Sequence, residues 1–142
     1  MNSPAYDLAK YLETQGVGSM QLGSILPDAG PGIFVGEEPP EPSEAVTLYS
    51  YGGTAGDGLT CEAIDNFRVQ VRVRARNYQS SWKLIQKVET ELNRLKTLTV
   101  PDEALTVYYN TVIRLQPAME GGVDEKHRFV FTQNYSGIRT KR

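Results

Sequence analysis

The segment from Phe67 to Arg76 constrains the fold more strongly than any other part of the sequence. Apolar and polar side chains alternate along it, and the apolar set is Phe67, Val69, Val71, Val73 and Ala75. Because successive side chains of a β-strand point to opposite faces, this period of two predicts a strand that is buried on one face only. The other face carries four arginines, namely Arg68, Arg72, Arg74 and Arg76.

Two amphipathic helices flank this strand in the sequence. The first is predicted after Ser3 and Pro4, which suit a helix start, and Gly16 ends it. The second follows Asn77 and places apolar residues at helical spacing, at Leu84, Ile85, Val88, Leu92 and Leu95. Further strands are predicted at 33–35, 45–51, 105–116 and 126–135. This order predicts an α+β fold, a mixed or antiparallel β-sheet with two α-helices packed on one face.

The remaining segments have the composition of loops. Residues 36–42 are acidic and rich in proline, whereas residues 52–66 are rich in glycine and are predicted to be mobile. Residues 121–124 predict a turn. Residues 136–142 are polar and basic, and they are predicted to form a flexible tail. Since 142 residues suit one domain, we expect a single domain over residues 1–142.

The sequence offers little material for catalysis or for holding a cofactor or a metal. The glycine run at 53–60 has the spacing of a phosphate-binding loop, but Leu59 stands where that motif requires lysine. Nothing in the spacing brings the single cysteine, Cys61, near the single histidine, His127, so we interpret them as an inert thiol and a packed or edge histidine. We therefore predict no enzyme activity, no cofactor and no metal site. No apolar run approaches the ~18 residues that a membrane-spanning helix requires.

The two halves of the chain carry opposite charge. Residues 1–66 contain ten acidic residues and one lysine, whereas residues 67–142 contain fourteen basic and seven acidic residues. Three interpretations of the arginine row stay open, namely a solvated or charge-protected sheet face, pairing with an acidic surface of another chain, or contact with nucleic-acid phosphates. The pI of about 5.4 and the scarcity of interleaved aromatic residues disfavour a dedicated nucleic-acid-binding domain. The candidate interface residues are the arginines Arg68, Arg72, Arg74 and Arg76, and the carboxylates Glu37, Glu38, Glu41 and Glu44.

The order of these segments resembles a known family of virion proteins. An acidic, proline-containing loop precedes the strand-like segment 45–49 and the pair Gly52-Gly53. A glycine-rich gap follows, and then the arginine-alternating segment 67–76, closed by Asn77-Tyr78 and an amphipathic helix. This arrangement resembles the tail terminator (minor capsid) proteins of long-tailed bacteriophages, and the likeness covers most of the chain.

The resemblance implies a structural role in the neck of a virion, at the top of its tail. It implies a ring, typically of six subunits, that caps the tail tube, halts its growth and offers a docking face to the head connector or stopper protein. The implied partners are further copies of the chain, the tail tube protein and that connector, with genomic DNA passing through the lumen without sequence-specific binding, and no membrane. The protein is expected to be made in the cytoplasm of the bacterial host. Two alternatives stay open, a head-completion or connector protein of the neck and a small nucleic-acid-binding module.

Overall fold

The computed structural model describes residues 2–20, 30–55, 63–103 and 105–142. Over these residues the chain forms two helices and seven strands. In chain order they are α1 (Pro4–Thr14), β1 (Gly32–Val35), β2 (Ala45–Ala55), β3 (Ala63–Ala75), α2 (Tyr78–Arg94), β4 (Leu98–Asp102), β5 (Leu105–Arg114), β6 (Met119–Val123) and β7 (Phe129–Lys141).

All seven strands belong to one sheet. Its order is β1-β2-β3-β7-β5-β4, and β6 pairs with β7 beside this path. The β1–β2 pair is parallel and the other pairs are antiparallel, so the sheet is mixed. The longest pairing joins β3 to β7, from Ala63 opposite Lys141 to Ala75 opposite Phe129. The predicted α+β class is therefore confirmed, with the arginine-alternating strand at the centre of the sheet.

The two helices begin where the sequence places their caps. The Ser3 side chain accepts a hydrogen bond from the Tyr6 backbone N–H at the start of α1, and the Asn77 side chain accepts one from Ser80 N–H at the start of α2. These caps satisfy backbone donors that the first turn of a helix leaves unpaired. The apolar stripes of both helices share one core with the odd-numbered residues of β3, from Phe67 to Val73. The opposite face of the sheet is called the open face below.

The prediction of a flexible tail at residues 136–142 is wrong. The strand β7 continues to Lys141 and lies between β3 and β5, so Ser136 pairs with Arg68 on one side and with Ile113 on the other. The polar composition of this segment is misleading because its basic side chains meet carboxylates elsewhere in the sheet, on β3 and at the end of β4. Arg139 Nε lies 3.2 Å from Asp65 Oδ2, and Lys141 Nζ lies 2.7 Å from Asp102 Oδ2.

Several predicted boundaries also differ from the observed ones. The strands β2 and β3 extend into the glycine-rich segment 52–66, and the rest of that segment, residues 56–62 with Cys61, lies outside the described residues. The predicted turn at 121–124 falls largely within β6, and the chain turns instead at 124–128, where the Asp124 backbone N–H donates to Arg128 O. Sequence periodicity did not predict β4, a short strand that contains Pro101.

A buried polar network ties α1 to the sheet. The Tyr109 hydroxyl donates to Asp7 Oδ2 at 2.5 Å, and both residues are almost fully buried. Arg139 Nη1 donates to the Asn2 carbonyl at 2.8 Å and lies 3.4 Å from the Tyr109 oxygen. Burial, followed by the hydrogen bond to Asp7, raises the pKa of Tyr109 far above its ordinary value, so the phenol stays protonated. Asn2 and the first turn of α1 are thus held against β5 and β7.

Candidate interface on the open sheet face

The arginines of the predicted row differ in position and in exposure to solvent. Arg68, Arg72 and Arg74 lie on this face within β3, whereas Arg76 lies beyond the strand end at Ala75 and is exposed. The Arg72 side chain is 38% exposed and the Arg74 side chain only 3%. The structure therefore brings three of the four arginines to one face, and among these three Arg68 is exposed, Arg72 is half-buried and Arg74 is buried.

The acidic loop, defined here as residues 36–44, covers one end of this face. Glu38 Oε2 lies 2.9 Å from Arg72 Nε, and Glu38 Oε1 lies 3.5 Å from Arg74 Nη1. Arg74 Nη2 also donates to two backbone carbonyls of the loop, those of Pro39 at 2.9 Å and Pro42 at 2.6 Å. A planar guanidinium with several fixed donors suits such multiple contacts, so Arg74 acts as the anchor of the loop.

A second set of basic residues holds the same loop from the turn before β7. Arg128 is buried, and its Nη1 donates to the Pro40 carbonyl at 2.6 Å while its Nε pairs with Asp124 Oδ2 at 2.7 Å. Lys126 Nζ lies 2.8 Å from Glu41 Oε1, and both of these side chains are about half exposed. Sequence reasoning missed Arg128, because a lone arginine in a turn gives no signal that a loop 88 positions away in the chain lies against it.

The charges in this cluster are coupled. Burial lowers the pKa of Arg74, although the nearby Glu38 carboxylate opposes that effect, and an arginine guanidinium remains charged at neutral pH even so. The hydrogen bond from Lys126, together with its positive charge, lowers the pKa of Glu41. Burial and the Glu38 carboxylate both raise the pKa of Tyr49, which lies on β2 across from Gln70. The loop is thus held by ionised groups at neutral pH.

The other end of the open face, called the open end below, has no such cover among the described residues. A hollow of about 550 Å³ lies there, and it is lined by Asn66, Phe67, Arg68, Thr111, Ile113, Ser136, Gly137 and Ile138. Ile113 is 55% exposed and Ile138 is 41% exposed. Within the described part of the chain, the Arg68 side chain makes no ion pair or hydrogen bond.

The four predicted carboxylates have separate surroundings. Glu38 is held between Arg72 and Arg74, and Glu41 pairs with Lys126. Glu37 and Glu44 are exposed, and neither side chain is paired with any residue that the structure describes. Two of the four predicted carboxylates, Glu38 and Glu41, are therefore paired with basic residues of the same chain.

The remaining sequence candidates do not assemble into a reactive centre in the described ranges. His127 is exposed in the turn before β7, where its backbone N–H donates to the Asp124 carbonyl. Over the described residues, no group of three or more histidine, cysteine, aspartate or glutamate side chains is arranged to hold a metal ion. Among those same residues, no helix has the length and apolar character needed to cross a membrane.

Comparison with known families decides what kind of protein carries this face. The model of a family described as bacteriophage tail terminator protein matches residues 11–140, which is nearly the whole chain. The chain belongs to this family. As a tail terminator it is a structural protein of the virion tail end, and the resemblance carried by the loop, the arginine-alternating strand and the second helix is confirmed.

Two further comparisons complete this description of the tail terminator. Among curated proteins, none matches the chain. Among solved structures, it is similar to a chain of the "Virion of native gene transfer agent (GTA) particle", at 15% identity and a TM-score of 0.49, over 77% of this chain and 78% of that one. Similarity at this level supports no conclusion about function.

The family membership has two direct consequences for the tail terminator. A component of the virion tail end contacts other virion proteins, so part of its surface is an interface in the assembled particle. A structural family also indicates a role other than catalysis. The open face, with one covered end and one uncovered end, is the candidate for such an interface.

Proposed function

We propose that this tail terminator forms a ring that caps the finished tail tube, ends its elongation and joins the tube to the head connector. The observation that carries this proposal is the family match over residues 11–140. A ring built head to tail needs two different, complementary patches on each subunit. The open face supplies two chemically different ends, an acidic loop and a basic, apolar hollow.

Subunit size is compatible with a ring that admits DNA. A compact chain of this length has a radius of gyration of about 14–15 Å and a diameter of about 37 Å. Six touching discs enclose a central hole as wide as one disc, so a ring of six subunits leaves room for a duplex. We therefore propose a hexamer that binds the tail tube protein on one side and the connector on the other, while DNA passes through without sequence-specific contacts.

The contacts of the arginine row favour this role over a nucleic-acid-binding module. Arg72 and Arg74 pair with Glu38 of their own chain, so a carboxylate already offsets part of their charge, and the buried Arg74 is not accessible to phosphates. Within the ring, we assign Arg68 and Arg76 to contacts with neighbouring proteins, together with the exposed carboxylates Glu37, Glu41 and Glu44. Arg72, Arg74 and Glu38 instead position the acidic loop.

Deleting the gene from the genome that encodes it tests this proposal. We expect tails of uncontrolled length and unattached heads, because nothing ends tube growth or forms the joint. A plasmid carrying the wild-type gene restores uniform tails joined to heads, whereas an empty plasmid does not. Tail lengths and head attachment are measured on negatively stained particles. Uniform tails joined to heads in the deletion strain contradict the proposal.

A further inference from the structure

The open end exposes a combination of side chains that is unusual for a face in contact with water only. Three isoleucines, Ile64, Ile113 and Ile138, are between 39% and 55% exposed on three adjacent strands. Ser136 of β7 lies between Arg68 on β3 and Ile113 on β5, and it pairs with both. An apolar surface with one exposed arginine at its rim has the composition of a protein contact, since arginine is enriched and lysine depleted at such sites.

The covered end of the same face shows what kind of segment binds to this arginine row. There, a proline-rich acidic loop supplies a carboxylate from Glu38 to Arg72 and Arg74, and two backbone carbonyls to Arg74. Arg68 stands in the same row, six positions before Arg74 and therefore about 20 Å along the strand. A segment of the same kind fits the open end, with a carboxylate for Arg68 and proline rings for the isoleucines.

The acidic loop carries exposed carboxylates and an exposed proline that could make such a contact. Glu37 and Glu44 are exposed, are not ion-paired with any described residue, and flank the exposed Pro40. Within one subunit they lie on a loop that is anchored at Arg74 and Arg128, towards the other end of the face from the hollow. Because the two patches lie at opposite ends of the face in one subunit and the loop is anchored, their pairing requires two subunits.

We propose that the open end of each subunit receives the acidic loop of the next copy of this chain. The proposal rests on the ring function and names the surfaces that close the ring. Arg68 pairs with Glu37 or Glu44 of the neighbour, while Ile64, Ile113 and Ile138 pack against its prolines. Because an exposed ion pair contributes only about 0–1 kcal/mol, the apolar contact supplies most of the affinity, and the charges select partner and register.

A mixing experiment tests this pairing. A hollow variant, Arg68→Glu, and a loop variant, Glu37→Lys with Glu44→Lys, change exposed side chains only, and thermal unfolding verifies that each is folded. Labelled proteins are added to tails isolated from the deletion strain, and copies per tail end are counted by stepwise photobleaching. We expect each variant alone to occupy tail ends at least tenfold less than wild type, since every contact then joins like charges.

An equimolar mixture of the two variants is expected to restore occupancy. In a ring of alternating variants, each reversed hollow meets a reversed loop and each natural hollow meets a natural loop, so every contact is complementary. Both variants are then found in equal numbers on each tail end. The control Glu103→Lys changes an exposed carboxylate of the β4–β5 turn and behaves as wild type.

The outcomes separate this inference from the proposed function. Wild-type occupancy by each variant alone overturns the inference and leaves the ring function standing. Loss by both variants without recovery in the mixture also overturns it, because the charges then do not face each other. Failure of the wild-type protein to bind tail ends overturns the proposed function itself.

Discussion

Replacing Arg74 with methionine is expected to lower the free energy of unfolding by about 3 kcal/mol, the largest effect of any arginine in the row. The guanidinium is buried and donates to the Pro39 and Pro42 carbonyls, and it also faces the largely buried Glu38 carboxylate. Methionine keeps the apolar stem but leaves these acceptors without a donor, and removing one partner of a buried ion pair costs about 3–5 kcal/mol. Arg72 still pairs with Glu38, so the lower end of that range is expected.

The matched control for this substitution is Arg76→Met. Arg76 lies just beyond β3, is exposed, and makes no ion pair with any residue that the structure describes, so the change is expected to stay within about 0.5 kcal/mol. Urea unfolding of both variants measures the difference. Equal stability of the two variants would mean that Arg74 does not anchor the acidic loop.

Replacing Gly137 with alanine is expected to lower the free energy of unfolding by about 3 kcal/mol. A Cβ atom at this position lies 2.2 Å from the Thr111 carbonyl oxygen and 2.4 Å from Cζ of Phe67, well inside van der Waals contact. The oxygen belongs to the backbone of β5, and the ring is part of the core, so neither moves without disturbing the sheet or the packing. Overpacking of this kind costs about 1–3 kcal/mol and occasionally more.

Ser136→Ala provides the comparison for Gly137→Ala. Ser136 is the preceding residue of β7, it lies half-buried on the open face, and its loss of a hydroxyl is expected to change stability by about 0.5 kcal/mol or less. Thermal unfolding followed by circular dichroism reports both variants. If Gly137→Ala unfolds at the temperature of Ser136→Ala, the close approach of β5, β7 and the Phe67 ring is not as described.

The sequence predicts the central strand and both helices because local pattern decides them. The alternation from Phe67 to Ala75 sets the two faces of β3, and the caps Ser3 and Asn77 mark the helix starts. The end of β7 was not predictable in the same way. It pairs with β3 and β5, which lie far away in the sequence, and its Arg139 and Lys141 meet Asp65 and Asp102 only in the folded sheet.

The candidate interface was predicted in its components and only partly in its arrangement. Alternation places Arg72 and Arg74 on the face opposite the core, but it does not reveal what covers that face. Sequence reasoning kept pairing of the arginines with an acidic surface of another chain as one of three interpretations, whereas Glu38 lies against these two arginines in the same chain. Contacts between residues more than 30 positions apart depend on the whole topology, so local periodicity carries no trace of them.

Cryo-electron microscopy of the head–tail joint in complete particles tests the central claim most directly. We expect a closed ring of this chain on the head-proximal end of the tail tube, between the tube and the connector, and at no other level of the tail. In that ring the acidic loop of each subunit lies in the hollow around Arg68 of the next subunit. Copies of the chain distributed along the tube, or a joint that lacks the chain altogether, would contradict the account.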